Sequence, residues 1–346
     1  MNEKIIKAIY ERFGDDLSRK IYAERLMYSL TGDKEYIRNM TCDIKEGKIF
    51  FDKLDIAKSQ SDIVIFGVGV WGKELYRVTE DYNWKCFVDS NPKSDSFEGL
   101  PIASFEDFIK AYNGETVVIS SRLHYKEMYE QLIANKIMPE KIINAGYILD
   151  ELSKKQYFDL EVLSPEKEEV FVDGGSFDGM TSIYFKEWCQ RKMKKPGVKV
   201  IAFEPDMKNA EKCHFNLMKN NIEHRIIKKG LWSDEKELHF QMESNGSSNV
   251  TADGEEVIKV TSMDKAIKED KVTFIKMDIE GSELEALHGA EQIIKKNKPK
   301  LAISIYHKPE DIWVLPEMIM QFNPDYKFYL RHYSLTDYET VLYAVN

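Results

Sequence analysis

The spacing of hydrophobic positions changes near residue 60 of the chain. Up to about residue 58, apolar residues recur every three or four positions, as at Ile5, Ile9 and Phe13, which is the spacing of amphipathic helices. From Ser61 onward, short apolar runs alternate with amphipathic segments, beginning with DIVIF, a glycine turn and WGKELYRV. Strands that alternate with helices are typical of α/β folds. The pattern predicts a helical N-terminal extension over 1–58, followed by α/β structure.

A polar, charge-rich stretch then interrupts this alternation. Residues 148–168 read ILDELSKKQYFDLEVLSPEKE and include the turn signal Ser164-Pro165, a composition typical of a connection between domains. Strands are predicted before it at KCFVDSNP, ETVVISS and KIINAG, and after it at EVFVDGG, VKVIAFEP, HRIIKKG, KVTFIKMDIE and KPKLAISIYH. We predict a smaller Rossmann-like domain over 59–147, a linker over 148–168 and a second α/β domain over 169–346.

The last two apolar runs, YKFYLRHY and ETVLYAV, are separated only by residues 334–338. Two such runs around a short polar segment predict an antiparallel hairpin. A mostly parallel sheet that ends in an antiparallel pair is the methyltransferase variant of the doubly wound fold. The predicted fold class is therefore α/β, with a doubly wound domain of this variant at the C-terminus.

Composition narrows the class of protein. The 346 residues carry 49 Lys and Arg against 59 Asp and Glu, a net charge of -10, which argues against nucleic acid as a general partner. No apolar run approaches the roughly 20 residues that span a bilayer, and the N-terminus lacks the apolar stretch of a signal peptide. The four cysteines form no C-x-x-C pair. We expect a cytoplasmic protein with no membrane span, no zinc site and no disulfides.

The first strand of the second series, VFVDGG, runs into a glycine-rich turn and then a helix. Such a turn lies at the carboxyl edge of the sheet, where open α/β sheets bind ligands. Its two carboxylates would repel a pyrophosphate, whereas S-adenosylmethionine presents an ammonium group to acidic side chains and a carboxylate to backbone N–H groups. We assign S-adenosylmethionine to this turn, through Asp173, Gly174, Gly175, Ser176, Asp178 and Gly179.

The next two strands end in further candidate ligands. Glu204, followed by Pro205, ends the second strand, where a carboxylate can accept hydrogen bonds from both hydroxyls of a ribose. Leu231 and Trp232 follow the third strand and could flank an adenine ring. The alternatives are solvated strand-end carboxylates and a Trp232 that belongs to the core.

These motifs together resemble a known family. VDGGSFDG, FEP, KKGLWSD, TSMD, KMDIEGSE and SIYH occur in this order over about residues 168–345, and the set is similar to that of FkbM-type methyltransferases. The resemblance implies a class I methyltransferase fold, S-adenosylmethionine as methyl donor and, commonly, O-methylation of a sugar or polyketide-type hydroxyl. The acceptor differs between members. We expect a hydroxyl of a sugar, a glycan or a nucleotide-linked sugar.

Three residues are candidates for the chemistry of methyl transfer. Asp278 ends the fourth strand, and alternation would place Glu280 on the same side if the strand continued. His307, at the end of the fifth strand, could accept the hydroxyl proton. The three could also bind a divalent metal, which would lower the pKa of a coordinated hydroxyl. Alternatively, Glu280 is a favourable residue at a helix start.

The N-terminal α/β region carries a second candidate site. Gly67, Gly69 and Gly72 form G-x-G-x-x-G between a strand and a helix, and Asp89 closes the next strand at the distance of a ribose-binding acid. The segments FVDSNP and GLPI resemble small Rossmann-like domains attached to enzymes of sugar and polysaccharide biosynthesis. The alternatives are binding of a nucleotide or nucleotide-sugar, or a structural role such as homodimer formation.

Two rival functions compete with the methyltransferase hypothesis. One is an NAD-dependent oxidoreductase that uses the N-terminal glycine motif, although no Tyr-x-x-x-Lys pair accompanies it. The other is a non-catalytic nucleotide-sensing or scaffold protein, against which the intact carboxylates of the C-terminal half argue. The polar segment 243–253, with Ser247, Ser248 and Asn249, is either part of an acceptor pocket or a plain connection between strands.

Overall fold

The computed structural model describes residues 3–242, 248–250, 256–268 and 270–346. The chain divides into two compact units. The methyl-transfer unit, as we call it here by its candidate role, comprises residues 1–22, 156–331 and 339–346. The glycine-motif unit comprises residues 23–155 and 332–338.

The described helices are α1 (Glu3–Arg12), α2 (Asp16–Thr31), α3 (Glu35–Cys42), α4 (Lys45–Gln60), α5 (Val70–Val78), α6 (Phe105–Ala111), α7 (Tyr125–Ala134), α8 (Ala145–Lys155), α9 (Met180–Lys192), α10 (Met207–Lys219), α11 (Met263–Ala266), α12 (Glu283–His288), α13 (Glu291–Asn297) and α14 (Asp311–Phe322). The strands are β1 (Ile63–Phe66), β2 (Cys86–Asp89), β3 (Ser96–Phe97), β4 (Leu100–Ser104), β5 (Thr116–Ile119), β6 (Ile142–Asn144), β7 (Glu168–Gly174), β8 (Gly197–Phe203), β9 (Glu223–Ile227), β10 (Gly230–Leu231), β11 (Lys236–Met242), β12 (Ser248–Val250), β13 (Glu256–Thr261), β14 (Phe274–Met277), β15 (Lys300–Ser304), β16 (Lys327–His332) and β17 (Thr340–Val345).

The glycine-motif unit is built on a six-stranded sheet in the order β3-β4-β2-β1-β5-β6. Strands β4, β2, β1, β5 and β6 run parallel, and β3 pairs antiparallel with β4. Helix α4 buries Phe50, Phe51 and Leu54 in the same cluster as Ile63 of β1 and Leu149 of α8. Residues 23–58 therefore do not form a separate extension, because their apolar face completes the core of this unit.

The methyl-transfer unit contains a seven-stranded sheet in the order β16-β17-β15-β14-β7-β8-β9. Strands β15, β14, β7, β8 and β9 are parallel, and β17 lies antiparallel beside β15. This is the predicted class I arrangement, in which the last strand in the chain enters the sheet between its neighbours. A smaller sheet, β10-β13-β11-β12, accompanies it. The Rossmann-like α/β fold class is confirmed.

The predicted linker has a different structure. Helix α8 continues to Lys155 and buries Leu149 and Leu152, and the chain then enters the methyl-transfer unit at Gln156. Tyr157 and Phe158 are each only 4% exposed. The charged residues around them suggested a solvated connection, but these two aromatic side chains have apolar surface that the fold buries.

Two other sequence predictions bear on the fold. Within the polar segment 243–253, residues 243–247 and 251–253 lie outside the described residues, while β12 pairs antiparallel with β11. Throughout the part of the chain that the structure describes, no helix combines the length and the apolar character needed to cross a membrane.

Candidate active site

The turn between β7 and α9 passes very close to the end of β14. Gly175 has φ of +72°, and a Cβ at this position would lie 2.0 Å from the backbone oxygen of Asp278. The N–H groups of Gly175 and Ser176 both donate to the carbonyl of Phe203, at 3.1 and 3.2 Å. A residue with a side chain would clash here, so glycine is required by both conformation and space. The close approach brings the predicted cofactor turn against Asp278.

Asp173, which we predicted to bind the cofactor's ammonium group, is paired within the protein. Its carboxylate is fully buried, accepts a hydrogen bond from Ser182 Oγ at 2.7 Å and lies 3.2 Å from Lys276 Nζ. Lys276 also donates to the carbonyls of Gly174 and Gly175, at 3.0 and 2.8 Å. Asp173 thus has an ion pair with Lys276 inside the protein, and its direct contact with the ammonium group stays a prediction.

Lys276 is a cation in an almost fully buried position. Burial opposes its charge, but the carboxylates of Asp173 and Asp278 outweigh that effect and raise the pKa of the ammonium group. Its side chain is 3% exposed. The positive charge thus ties together the cofactor turn and the two carboxylates at the ends of neighbouring strands.

Glu204 lies where a ribose carboxylate is expected. It is 6% exposed, and each carboxylate oxygen accepts one backbone hydrogen bond, from Phe177 N–H at 2.8 Å and from Asp206 N–H at 3.0 Å. Burial raises the pKa of this carboxyl, opposed by the two backbone hydrogen bonds. A carboxylate oxygen has room for a second hydrogen bond. Glu204 therefore fits the pair of ribose hydroxyls that S-adenosylmethionine presents.

The other predicted cofactor residues surround the same turn. Leu231, which is 2% exposed, would contact a Cβ on Gly174, at 2.7 Å, and Trp232 donates its backbone N–H to Thr261. Asp178 lies 3.3 Å from Lys212 of α10, and Gly179, at φ of +81°, precedes α9. Pro205 lies 4.0 Å from the position of a Cβ on Gly230. Leu231 thus packs under the turn, whereas Asp178 holds the turn against α10.

Asp278 is held by two phenols. Tyr157 donates to Oδ2 at 2.9 Å and Tyr306 donates to Oδ1 at 3.1 Å. Burial raises the pKa of this carboxyl, but the charges of Lys276 and His307 and the two hydrogen bonds more than compensate and lower it. Asp278 is therefore an ionised carboxylate with fixed orientation at the end of β14.

His307 has a carboxylate at each ring nitrogen. Nδ1 lies 3.0 Å from Glu283, and Nε2 lies 3.5 Å from Asp278 and 3.7 Å from Glu280. Burial disfavours the charged ring, but Glu283 and the other carboxylates raise the pKa of His307 to about 9. At neutral pH the ring is an imidazolium without a lone pair. The geometry therefore does not support the predicted role of His307 as proton acceptor.

Glu280 lies near His307, but not through continuation of strand β14, which we predicted. Strand β14 ends at Met277, and Glu280 follows in a turn at φ of +55°, with 62% of its side chain exposed. The alternation argument fails, because β14 ends at Met277 and the backbone at Glu280 is left-handed rather than extended. Glu280 faces His307 at the rim of the site.

The predicted metal set also changes. Among the described residues, the group with ligand atoms within 4.8 Å of one another is Asp278, Glu283 and His307, so that Glu283 takes the predicted place of Glu280. A metal bound here would displace the ring proton of His307, because a ligand nitrogen needs a lone pair. A divalent metal at this cluster stays a prediction.

Comparison with known proteins identifies this part of the chain. Residues 173–330 match the family model described as the methyltransferase FkbM domain. The C-terminal part of the chain is an FkbM methyltransferase domain. The crystal structure of methyltransferase FkbM from Methylobacillus flagellatus KT is similar in fold, with a TM-score of 0.52 and 21% identity, over 87% of this chain and 99% of that one. The predicted FkbM-type family and the enzyme class are confirmed for the matched residues, which form a methyltransferase domain of FkbM type.

More distant likenesses are of lower quality. A putative rRNA methylase from Clostridium thermocellum aligns with a TM-score of 0.33 and 13% identity, over 56% of this chain and 91% of that one. The fibrillarin of Aeropyrum pernix, solved with natively bound S-adenosylmethionine, aligns with a TM-score of 0.34 and 10% identity, over 56% and 74%. None of the curated protein sequences matches this chain significantly.

The site of the FkbM domain includes four residues that sequence analysis did not single out. Two of them could have been found from the sequence: Lys276 lies two positions before Asp278, and Tyr306 directly precedes His307. Tyr157 carried no such signal, since it lies 121 positions from Asp278 and before the family match begins. The four residues are Tyr157, Lys276, Glu283 and Tyr306.

The glycine motif outside the FkbM domain has a local structural explanation. A Cβ on Gly72 would lie 2.1 Å from the carbonyl oxygen of Gly67, which has φ of +109°, whereas Gly69 faces open space. Asp89 accepts hydrogen bonds from the N–H groups of Val68, at 3.1 Å, and Asn91, at 2.9 Å. The turn thus uses Asp89 to hold itself together. Nucleotide or nucleotide-sugar binding by this unit stays a prediction.

Proposed function

We propose that this FkbM-type methyltransferase methylates a hydroxyl group of a sugar, a glycan or a nucleotide-linked sugar. The observation that carries the proposal is the ionised Asp278, held by two phenols at the strand end that touches the cofactor turn. A carboxylate in this place accepts a hydrogen bond from an acceptor hydroxyl and so fixes the direction of its oxygen. The sugar class rests on the resemblance to the FkbM family.

Glu204 binds the cofactor, and Asp278 orients the acceptor. Glu204 receives the ribose hydroxyls of S-adenosylmethionine, and Asp278 receives the acceptor hydroxyl. When bound, S-adenosylmethionine would supply the methyl group to the acceptor oxygen by in-line displacement, with S-adenosylhomocysteine as the leaving group.

The proton of the acceptor hydroxyl goes to Asp278 and then to water. The pKa of Asp278 is lowered, so the group is a weak base toward a neutral alcohol. A hydroxyl oxygen that is gaining a methyl group becomes strongly acidic, and a weak base at the correct distance then suffices. His307, as an imidazolium, keeps Asp278 ionised rather than taking the proton itself.

Binding experiments test the cofactor part of this proposal. Calorimetric titration of the protein with S-adenosylmethionine, S-adenosylhomocysteine and NAD should show binding of the first two. Glu204→Ala should weaken both affinities by about 10- to 100-fold, because two hydrogen bonds to a charged group are lost. The matched variant is Asp89→Ala, the ribose-type carboxylate of the glycine-motif unit, which should leave both affinities unchanged. Binding of NAD alone would overturn the proposal.

Methyl transfer from labelled S-adenosylmethionine to a panel of nucleotide sugars and glycans tests the acceptor part. Asp278→Asn should retain S-adenosylmethionine binding and lose most of the transfer to any acceptor that the wild-type protein methylates. An Asp278→Asn variant with wild-type transfer would remove Asp278 from the reaction. A cytoplasmic location, a homodimer and the exclusion of nucleic acid stay proposals from the sequence.

A further inference from the structure

Tyr157 adopts a backbone conformation that residues with side chains rarely take. Its φ is +74°, and the side chain is 4% exposed. A tyrosine in the left-handed region costs free energy and persists only where the surroundings hold it, and such residues cluster at functional sites. Tyr157 lies in the segment whose composition indicated a linker, so neither composition nor the family match accounts for the strain.

Both ends of Tyr157 are fixed by hydrogen bonds. Its backbone N–H donates to the hydroxyl of Tyr343 at 3.0 Å, and its own hydroxyl donates to Asp278 Oδ2 at 2.9 Å. The next residue, Phe158, packs its ring 5.5 to 6.1 Å from the rings of Tyr157, Phe171, Phe185, Trp188 and Phe274. The strained backbone is thus anchored on the aromatic core while the phenol reaches the carboxylate.

The two oxygens of Asp278 have different neighbours. Tyr157 holds Oδ2, whereas Tyr306 and His307 lie at Oδ1. Further charged groups face this carboxylate: Lys276 from its own strand, Glu280 from the turn after it and Glu283 from α12, with Glu339 acting on Tyr157, Tyr306 and Lys276. Without the phenol of Tyr157, Oδ2 loses the hydrogen bond that fixes the orientation of the carboxylate.

We propose that Tyr157 is a positioning residue for methyl transfer, whose phenol holds the Asp278 carboxylate in the orientation that receives the acceptor hydroxyl. The proposal rests on the proposed function, since it assigns Asp278 to the acceptor. Burial and the nearby Asp278 raise the pKa of the Tyr157 phenol well above its ordinary value. The phenol therefore remains a neutral donor at neutral pH.

The first test reads Asp278 directly and needs no acceptor. In protein labelled with ¹³C at aspartate carboxyls, the Asp278 signal is assigned with Asp278→Asn and titrated with pH. Tyr157→Phe should raise the pKa of Asp278 by about one pH unit, because it removes a hydrogen bond to the charged form. Tyr326→Phe is the matched control, since it removes another buried phenol, which donates to the carbonyl of Pro299. This control should leave the Asp278 titration unchanged.

A second variant separates the phenol from the strain. Tyr157→Gly relieves the backbone strain at φ of +74°, although it also removes the buried ring. Because it lacks the phenol, it should show the same rise in the Asp278 titration as Tyr157→Phe. A wild-type titration in both variants would overturn the proposal. With an acceptor from the panel above, Tyr157→Phe should lower kcat about 10-fold, leave the KM for S-adenosylmethionine within twofold, and move the acidic limb of the pH profile upward.

The outcomes distinguish this inference from the proposed function. Wild-type protein that fails to bind S-adenosylmethionine contradicts the function, whereas the Asp278 titration is read in its absence. An unchanged kcat in Tyr157→Phe, together with a full loss in Asp278→Asn, leaves the function intact and overturns the role of Tyr157.

Discussion

Two glycine-rich turns follow the first strand of an α/β sheet in this protein, and their surroundings differ. In the glycine-motif unit, the turn after β1 has one nearby strand-end carboxylate, Asp89, and its oxygens bind the backbone of the turn and of Asn91. In the FkbM domain, the turn after β7 is tied by Lys276 to Asp173 and touches the end of β14, where Asp278 and His307 interact. The second turn lies among ionised side chains whose pKa values are shifted, namely Lys276, Asp278 and His307.

The comparison shows that the glycine spacing by itself is a poor guide to function. The motif G-x-G-x-x-G fits the first turn better than the second, yet close packing of the turn accounts for Gly67 and Gly72. What distinguishes the FkbM turn is the convergence of charged side chains from different strands, which is costly to maintain without a role in binding or chemistry.

The largest expected effect comes from removing the buried cation. Lys276→Met leaves the fully buried Asp173 without its counter-charge, and breaking such a pair costs about 3–5 kcal/mol. We expect a loss of this size in the free energy of unfolding of the FkbM domain, measured by urea denaturation. Lys295→Met is the matched control, because Lys295 pairs with Glu291 on the surface and should cost no more than about 0.5 kcal/mol. Equal losses of unfolding free energy in Lys276→Met and Lys295→Met would contradict the buried, ionic character that we assign to the FkbM turn.

The pH dependence of stability reports on His307. Its pKa is raised from 6.5 to about 9 in the folded protein, so its stabilising contribution is complete below pH 6.5 and is lost as the pH rises through 9. A shift of this size corresponds to about 3 kcal/mol. Urea denaturation at pH 6 and pH 9.5 should show the loss in wild-type protein.

His307→Gln isolates this contribution from other titrations. Buried cysteine thiols, whose pKa values are raised by burial, also reduce stability at alkaline pH, and they remain in the variant. His332, whose pKa is lowered by burial to about 3, titrates mainly below this range. Asp311, whose pKa is raised by burial to about 7, loses its proton within the range, and it also remains in the variant. If His307→Gln loses as much stability as the wild type between pH 6 and pH 9.5, His307 is not the imidazolium described above.

The smallest expected changes in the free energy of unfolding come from alanine substitution of one glycine in each turn. Gly175→Ala places a Cβ 2.0 Å from a backbone oxygen at φ of +72°, and we expect a loss of at least about 2 kcal/mol in the free energy of unfolding. Gly69→Ala places a Cβ in open space at φ of −72° and should change it by less than about 0.5 kcal/mol. Thermal melts of both variants check this. A marked loss in Gly69→Ala would reveal a constraint on the glycine motif that its local packing does not explain.

Several elements of the fold were predictable from periodicity because their causes are local. The strands around DIVIF and EVFVDGG follow from short apolar runs, and the helical segments of the first 58 residues follow from the spacing of apolar positions. The position of Glu204 at a strand end was predictable for the same reason. The compact units were not, because burial of Phe50 or Tyr157 depends on partners more than 90 positions away.

The sequence by itself determined the order of strands and helices, the class I sheet, the family and the residues at the carboxyl ends of β7, β8 and β14. Only the tertiary structure decided that Asp173 pairs with Lys276, that His307 is an imidazolium, and that Tyr157 holds Asp278. The physical reason is that helices and strands are indicated by the spacing of apolar residues, which are near neighbours in the chain. Charge state and ion pairing depend instead on distances in space and on burial, which residues distant in the sequence create.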